Sequence, residues 1–235
     1  MAESGMRARL KGLEERIAAA AARAGRDPAG VTVVAVAKTM PVELIEEAIR
    51  LGVKHVGENR VQEASAKFDK IGRKVTWHMV GHLQSNKVKR ALEIFDVIQS
   101  VDSVKLAETI SQRVIEEQSR TRPRADVLLE VNTSGEVSKF GFRPEDLEAS
   151  VEEMCVLEGI RVKGLMTVGP LVESPEEARQ AFVLLRNLTE KVARLGLPDV
   201  EMNVLSMGMS GDFEVAIEEG ATLIRVGTAI FGPRQ

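Results

Sequence analysis

Several residue types are scarce or absent in this chain of 235 residues. There is one cysteine, Cys155, so no internal disulfide can form, and such a composition is typical of a reducing compartment. There is no tyrosine, and aromatic residues make up only 3% of the chain, which leaves few side chains on which bases could stack. The formal net charge is −3. Together these features argue against binding to nucleic acid or to an anionic membrane.

Long apolar runs are also absent. No run approaches the roughly 20 apolar residues that a membrane-spanning helix needs. The segment 1–25 lacks the apolar centre of a signal peptide. Hydrophobic residues make up 44% of the chain and charged residues 29%, as in ordinary globular proteins. We therefore expect a soluble, cytoplasmic protein that does not associate with membranes.

The sequence does contain a repeated alternation of strand and helix patterns. Apolar residues at helical spacing predict a first helix over 7–24. Short apolar runs then predict strands at 31–37, 54–57, 75–81, 94–101, 125–132, 160–168, 200–208 and 221–227. Amphipathic segments between these runs predict helices at 42–52, 60–72, 85–92, 103–119, 144–153, 175–195 and 211–219.

Such a succession of strands and helices predicts an α/β fold with a parallel sheet. Eight units in 235 residues match a TIM (β/α)8 barrel, here with an extra N-terminal helix. An open doubly wound sheet is the alternative, but the chain has no Gly-x-Gly-x-x-Gly fingerprint. Since no linker or low-complexity segment interrupts the pattern, we expect a single domain over 1–235.

Lys38 follows the first predicted strand directly, in the stretch "VTVVAVAK". Side chains alternate along a strand, so Lys38 shares a face with Val34 and Val36, and branched valines suit a barrel interior. This places the amine in the barrel mouth at the carboxyl end of the strand, where active sites of such barrels lie. A neutral lysine amine can attack a carbonyl to form a Schiff base. The alternative is a lysine in an ordinary ion pair.

The loops after the last two strands, "LSMGMSGDFEVAIEEG" and "RVGTAIFG", have features of a phosphate site. Barrels of this type frequently bind phosphate there. Gly208 and Gly211 allow the backbone to approach an anion closely, and a helix is predicted to begin near Ser210. The other candidate ligands in the two loops are Ser206, Gly227 and Thr228. The alternative is plain turn and capping chemistry with nothing bound.

An amine across a barrel mouth from a phosphate site suggests a phosphorylated carbonyl compound. A sugar phosphate, as in Schiff-base aldolases, and pyridoxal phosphate both meet this description. Arg225 lies two residues before Gly227 and is predicted to face the barrel interior, where a pyridine nitrogen could accept its hydrogen bond. A salt bridge to a carboxylate such as Glu58 or Glu130 is the alternative.

Seven segments of the chain together resemble the pyridoxal phosphate homeostasis protein family. The fold of this family is similar to the N-terminal barrel of alanine racemase, and the resemblance extends over 10–232. The segments are "VAVAKTMP", "GENRVQEA", "WHMVGHLQSNK", "EVNTSGEVSKFGF", "KGLMTVGP", "LSMGMSGDFEVAI" and "RVGTAIFG".

The resemblance implies that the chain binds pyridoxal 5′-phosphate. Lys38 would carry the cofactor as a Schiff base, Arg225 would face the pyridine nitrogen, and Asn59 would lie near the cofactor. The phosphate would be held by Ser206, by the backbone around Met207 and Gly208, and by Gly227 and Thr228. No catalytic and no metal-binding residue is predicted.

The resemblance also bears on catalysis. Alanine racemase uses a tyrosine from a C-terminal domain of its partner subunit as a second base, whereas this chain has no tyrosine and its last predicted strand ends close to Gln235. An arginine on the pyridine nitrogen discourages ring protonation and weakens the cofactor as an electron sink. We therefore expect a non-catalytic protein of intracellular vitamin B6 homeostasis. We expect a monomer, with pyridoxal phosphate-dependent apoenzymes as candidate recipients of the cofactor.

Three alternatives remain open at this stage. One is a cofactor-dependent enzyme acting on amino acids, a weak racemase or a decarboxylase, with Lys139 or His78 as the missing acid or base. Otherwise no chemical role is assigned to His78 or His82. The second is a Schiff-base aldolase without cofactor. The third, nucleic-acid binding, depends only on the small basic cluster Lys87, Lys89 and Arg90, which is more typical of a solvated helix face.

Overall fold

Eight short parallel strands close into a barrel in the computed structural model, which describes residues 5–117, 123–136, 138–170 and 172–233. Each strand pairs with the next along the chain, and the last pairs with the first. The strands are β1 (Thr32–Val36), β2 (His55–Glu58), β3 (Thr76–Met79), β4 (Val97–Val101), β5 (Ala125–Glu130), β6 (Ile160–Met166), β7 (Val200–Ser206) and β8 (Leu223–Val226). The predicted TIM barrel is therefore confirmed.

Helices surround the barrel, because each strand is followed by a segment with one apolar face. They are α1 (Gly5–Arg23), α2 (Val42–Arg50), α3 (Val61–Ile71), α4 (Val88–Ile94), α5 (Val104–Glu116), α6 (Leu147–Met154), α7 (Arg179–Ala193), α8 (Phe213–Glu218) and α9 (Thr228–Phe231). Single 3₁₀ turns occupy Pro28–Gly30, Gly72–Lys74, Ser85–Lys87 and Pro175–Ala178. Within the described ranges, no helix combines the length and the apolar character that crossing a membrane requires.

The extra N-terminal helix, α1, packs against the last two helices, α8 and α9. Its Arg16 and Arg23 form ion pairs with Glu214 and Glu218 of α8. Arg9 donates a hydrogen bond to the carbonyl of Ile230 in α9 at 2.7 Å. These contacts join α1 to the last two βα units, whose loops form part of the barrel mouth.

Several element boundaries differ from the sequence predictions. The fourth strand was predicted from residue 94, but Ile94 ends α4 and the strand begins at Val97. Ile94 and Phe95 are buried in the apolar core, so the apolar run continues from helix to strand without a break that a pattern could detect. The residues of "TAIFG" form the short helix α9, which was not predicted. Of the predicted helix 103–119, positions 118–119 lie outside the described residues.

The residues of β1 show how the two sides of the barrel wall differ. Ala35 and Ala37 belong to the apolar core between strands and helices, where their small size lets helices pack closely. Val34 is fully buried but lies on the other face, in the barrel interior. A Cβ on Gly57 of β2 would lie only 2.9 Å from Val34 Cγ1, so glycine is needed for the interior to close there.

Candidate functional site

A cavity of about 370 Å³ opens at the carboxyl ends of the strands. Its size falls within the range of small-molecule pockets, roughly 300–1,000 Å³. The wall combines apolar side chains with two cationic side chains and the backbone of two glycine-containing loops. The lining residues are Val36, Lys38, Met40, Asn59, Val80, Val168, Met209, Ser210, Gly211, Arg225, Gly227, Thr228, Phe231 and Gly232.

Lys38 lies two residues beyond β1 and is half-buried. Among the described residues, its Nζ has no hydrogen-bond or ion-pair partner. The tight turn that carries it is held at the carbonyl of Ala37, which accepts from the Met40 N–H at 2.9 Å. Thr39 has a φ of 65°, uncommon for a residue with a side chain. The turn therefore presents an unpartnered amine to the cavity.

A buried ion pair stabilises this turn. Lys67 of α3 donates from Nζ to Glu58 Oε1 at 2.6 Å and to the carbonyl of Ala37 at 2.8 Å. Glu58 is fully buried, and its Oε2 has no partner among the described residues. Burial raises the pKa of Glu58, while the hydrogen bond and the charge of Lys67 act in the opposite direction. Since Glu58 is paired with Lys67, it does not form the salt bridge considered for Arg225.

Arg225 projects from β8 and is only 5% exposed. Its Nη1 donates to Ser206 Oγ at 2.6 Å and its Nη2 to the carbonyl of Thr167 at 2.7 Å. No carboxylate of the described residues forms an ion pair with it. Desolvation lowers the pKa of Arg225 to about 10, against the charges of Glu130 and Asp212. Two of the five guanidinium N–H groups are thus committed to neutral oxygens, which leaves three for other acceptors.

Gly208 determines the course of the loop after β7. Its φ is +91°, and a Cβ there would lie 2.6 Å from Ala216 Cβ and 2.9 Å from Phe213 Cα. Only glycine permits this turn. Just beyond it, the Met209 N–H donates to Asp212 Oδ1 at 2.5 Å. The turn brings Met209, Ser210 and Gly211 to the cavity wall.

Backbone N–H groups converge at this side of the cavity. Within the described ranges, the N–H groups of Ser210, Gly211 and Thr228 have no acceptor. The Ser210 hydroxyl accepts from the N–H groups of Gly227 at 3.2 Å and Ala229 at 3.4 Å. A concavity of free backbone N–H groups is suited to an anion such as phosphate.

Asn59 lies on the cavity wall directly after β2. A Cβ on Gly81 would lie 2.6 Å from the Asn59 carbonyl oxygen, so the loops after β2 and β3 approach each other closely. The Asn59 side chain has no hydrogen bond with any described residue. It is therefore free to contact a ligand.

Of the eight ligand residues that the family resemblance implies, five line the cavity: Lys38, Asn59, Arg225, Gly227 and Thr228. Ser206 and Met207 are fully buried beneath the wall, and Gly208 lies at the turn behind it. The contact of these last three residues with phosphate stays a prediction. Met209 was missed, although the glycine turn just before it was a usable signal.

The two histidines of the "WHMVGH" segment lie in different environments. His78 is buried inside the barrel and bonded at both ring nitrogens, to His55 and Gln99. Burial lowers its pKa to about 3. His82 lies outside the cavity wall, where Nδ1 contacts Asp102 Oδ2 at 2.9 Å and the ring stacks on Phe140. Neither imidazole lines the cavity described here.

A smaller cavity of about 190 Å³ adjoins the first one and shares Val168 with it. Glu130, at the end of β5, lines this second cavity and is 8% exposed. Desolvation raises its pKa to about 7, although the charge of Arg225 acts to lower it. Lys139 also lines the cavity, but its Nζ is occupied by Glu136 at 2.7 Å and by the carbonyl of Gly169 at 3.0 Å.

Two other features of the described residues concern metal binding and nucleic-acid binding. Within the described ranges, no group of three or more His, Cys, Asp or Glu side chains is arranged to hold a metal ion. In the predicted basic cluster, Arg90 is engaged by Glu93 and Asp69, so its charge is compensated locally.

Comparisons with known proteins show which proteins this chain is similar to. The family model for the alanine racemase N-terminal domain matches residues 9–235. The pyridoxal phosphate homeostasis protein of Aquifex aeolicus is 42% identical, with 97% of each chain covered. That of Pseudomonas aeruginosa is 43% identical, covering 93% of this chain and 91% of the relative. PipY of Synechococcus elongatus, solved with PLP bound, has a TM-score of 0.79 at 38% identity and covers 93% of this chain and 99% of its own.

The fold and the matched domain thus define a barrel of the alanine racemase N-terminal class. Within that class, the identities over nearly the whole chain show that this protein belongs to the pyridoxal phosphate homeostasis protein family. The resemblance drawn from the seven sequence segments is confirmed.

Proposed function

We propose that this protein binds pyridoxal phosphate in the cavity at the barrel mouth, as a Schiff base on Lys38, and serves cofactor homeostasis without catalysing a reaction. The observation that carries the proposal is the unpartnered Nζ of Lys38 on one cavity wall with Arg225 and free backbone N–H groups. The homeostasis proteins among its relatives and the PLP-bound PipY support the same cofactor.

The residues of the cavity fit the three functional parts of the cofactor. When bound, the cofactor supplies an aldehyde, which Lys38 Nζ can attack to form a C=N bond with loss of water. Arg225 has guanidinium N–H groups left to donate to the ring nitrogen. The N–H groups of Ser210, Gly211 and Thr228 are suited to the phosphate. Asn59 is available to contact the remaining ring edge.

The charge of Arg225 supports a non-catalytic role. A guanidinium is always protonated, so it donates to the ring nitrogen rather than letting that nitrogen take up a proton. Without that proton the cofactor withdraws electrons less well. His78 cannot replace a missing base, since both its ring nitrogens are occupied inside the barrel. Lys139 is likewise engaged by Glu136 and Gly169.

One observation favours a second candidate, a pyridoxal phosphate-dependent enzyme acting on amino acids. The carboxyl of Glu130 has a pKa of about 7 and lies in the cavity that adjoins the proposed cofactor site. A group with such a pKa is suited to general acid–base chemistry near neutral pH. If a substrate amino acid occupied the smaller cavity, Glu130 would be the candidate base.

We further propose a single domain over 1–235 that acts as a monomer in the cytoplasm and delivers cofactor to apoenzymes. The closed barrel of the described residues supports the single domain. Light scattering at several concentrations of loaded and unloaded protein tests the monomer. A constant monomeric mass is expected, and a dimer mass would contradict it.

The experiment that tests the cofactor site combines spectroscopy with chemical trapping. The purified protein is incubated with pyridoxal phosphate, its visible absorption is recorded, and the adduct is reduced with borohydride and mapped by peptide mass spectrometry. We expect a Schiff-base band and a modified Lys38 in the wild type, and neither in Lys38→Ala. An adduct at another lysine would overturn the site assignment. Turnover of any amino acid, abolished by Glu130→Gln, would instead establish the enzyme.

A further inference from the structure

A continuous line of hydrogen-bonded side chains runs through the barrel interior from the cavity floor. Arg225 donates to Ser206 Oγ at 2.6 Å, and Ser206 Oγ donates to Gln99 Oε1 at 2.7 Å. Gln99 Nε2 lies 2.9 Å from His78 Nδ1. His78 Nε2 lies 3.1 Å from His55 Nδ1. We call these five residues the interior chain.

The interior chain crosses the barrel rather than following one strand. Its members come from β8, β7, β4, β3 and β2 in that order, and the bond between Ser206 and Gln99 joins two strands that are not neighbours. Ser206 and Gln99 are fully buried and His78 is 3% exposed, whereas His55 is half-buried at the amino end of β2. It therefore connects the cavity floor to the opposite end of the barrel.

The hydrogen bonds of the interior chain have one consistent direction, which begins at Arg225. A guanidinium can only donate, so Ser206 Oγ accepts from it, and the single hydrogen of Ser206 is donated to Gln99 Oε1. This fixes the Gln99 amide with its NH₂ toward His78, whose Nδ1 must accept. A neutral imidazole then carries its hydrogen on Nε2 and donates to His55 Nδ1. All donors point away from the cavity.

The environment of the histidines agrees with this direction. Desolvation, and then the charge of His55, lower the pKa of His78 to about 3, so the ring is neutral. Burial and the charge of Lys54 lower the pKa of His55 as well, against the charge of Asp96. A neutral His55 can accept at Nδ1, as the interior chain requires.

We propose that Ser206, Gln99 and His78 are positioning residues, which hold the Arg225 guanidinium in the orientation that it presents to the cofactor ring. This inference rests on the proposed function, since Arg225 is given the ring nitrogen as its partner there. It assigns Ser206 to Arg225 rather than to phosphate. The carbonyl of Thr167 fixes Nη2, and the interior chain fixes Nη1, so the two together set the plane of the guanidinium.

The first test needs no cofactor. The wild-type protein, labelled with ¹⁵N-histidine and unloaded, is studied by NMR. The proposal requires His78 to be neutral, with its hydrogen on Nε2 and Nδ1 accepting, well below the ordinary histidine pKa. A hydrogen on Nδ1 would reverse the Gln99 amide and overturn the assigned direction, whatever the cofactor does.

The second test cuts the interior chain at its middle residue. Gln99→Met keeps a similar volume but removes both hydrogen bonds, so Ser206 loses the acceptor that orients it toward Arg225. We expect about tenfold weaker binding of pyridoxal phosphate, the size of effect of one lost hydrogen bond, and a shifted absorption band of the Lys38 adduct. Gln112→Met is the control, because Gln112 is exposed on α5.

The outcomes separate this inference from the proposed function. If the wild type binds no pyridoxal phosphate, the proposed function fails. If the wild type binds it and Gln99→Met gives the same affinity and band, the interior chain only fills the barrel and the inference fails. Should Gln99→Met not fold, Ser206→Ala is used instead, with the same expected shift in band, because it removes only the oxygen next to Arg225.

Discussion

Two lysines meet the same turn at the end of β1, and their ammonium groups have opposite surroundings. Lys67 approaches from α3, is 8% exposed, and contacts both Glu58 and the carbonyl of Ala37. Lys38, the next residue after Ala37, is half-buried and its Nζ has no partner among the described residues. Lys67 holds the turn in place, and the turn presents Lys38 to the cavity.

The difference follows from the cost of burying charge. An ammonium group that is removed from water needs a carboxylate and hydrogen bonds to remain charged, and Lys67 has both. Lys38 keeps access to the cavity, so it needs no permanent partner and its amine stays available to a ligand. The buried ion pair therefore belongs to the scaffold and the unpaired amine to the site.

The largest effect on stability is expected when the buried pair is broken. Lys67→Met removes the ammonium group and leaves Glu58 buried without its partner, which typically costs about 3–5 kcal/mol of the free energy of unfolding. Urea unfolding of wild type and variant measures the difference. Lys70→Met is the control, because Lys70 lies on the same helix but is exposed. A change as small as that of the control would mean that Lys67 does not hold the turn.

Two carboxylates extend the same comparison. Glu58 is paired with Lys67, whereas the carboxyl of Glu130 forms no hydrogen bond or ion pair with the described residues and has a pKa of about 7. The folded protein thus retains a proton on Glu130 at pH values where the unfolded chain, with a pKa near 4.5, has lost it. The contribution of Glu130 to stability is therefore complete below pH 4.5 and is lost as the pH rises to about 7.

Glu130→Gln is expected to remove this pH dependence. Relative to wild type, the free energy of unfolding of the variant should rise by up to about 3 kcal/mol between pH 4.5 and about 7. Denaturant unfolding at pH values spanning this interval measures the difference. Glu145→Gln, at an exposed position, should follow the wild type throughout. A constant difference between Glu130→Gln and wild type would show that Glu130 ionises normally.

Much of the fold could be predicted from the sequence, because each strand of the barrel is a short apolar run between helices. Alternation along "VTVVAVAK" also placed Lys38 and Val36 on one face, and both line the cavity. The start of β4 could not be predicted, since the buried residues Ile94 and Phe95 continue the apolar run backwards into α4.

The partners of buried charged side chains could not be predicted from the sequence either. Glu58 was considered as a partner of Arg225, but Lys67, in a helix that reads as ordinary and amphipathic, is the residue that reaches it. For Ser206, the family resemblance implies a contact with phosphate, which stays a prediction. The sequence did not indicate that Ser206 Oγ, at the end of β7, accepts a hydrogen bond from Arg225 inside the barrel. The partner of a buried polar side chain depends on which face of its strand the residue occupies.

The smallest effect on stability is expected at Lys38 itself. Since its Nζ has no partner to lose, Lys38→Ala should change the free energy of unfolding of the unloaded protein by less than about 1 kcal/mol. With pyridoxal phosphate at about 100 times its Kd, binding should stabilise the wild type by about 2.7 kcal/mol. Lys38→Ala should gain much less, because the covalent bond cannot form. A large loss of stability in the unloaded variant would make Lys38 a structural lysine like Lys67, and the distinction between the two would fail.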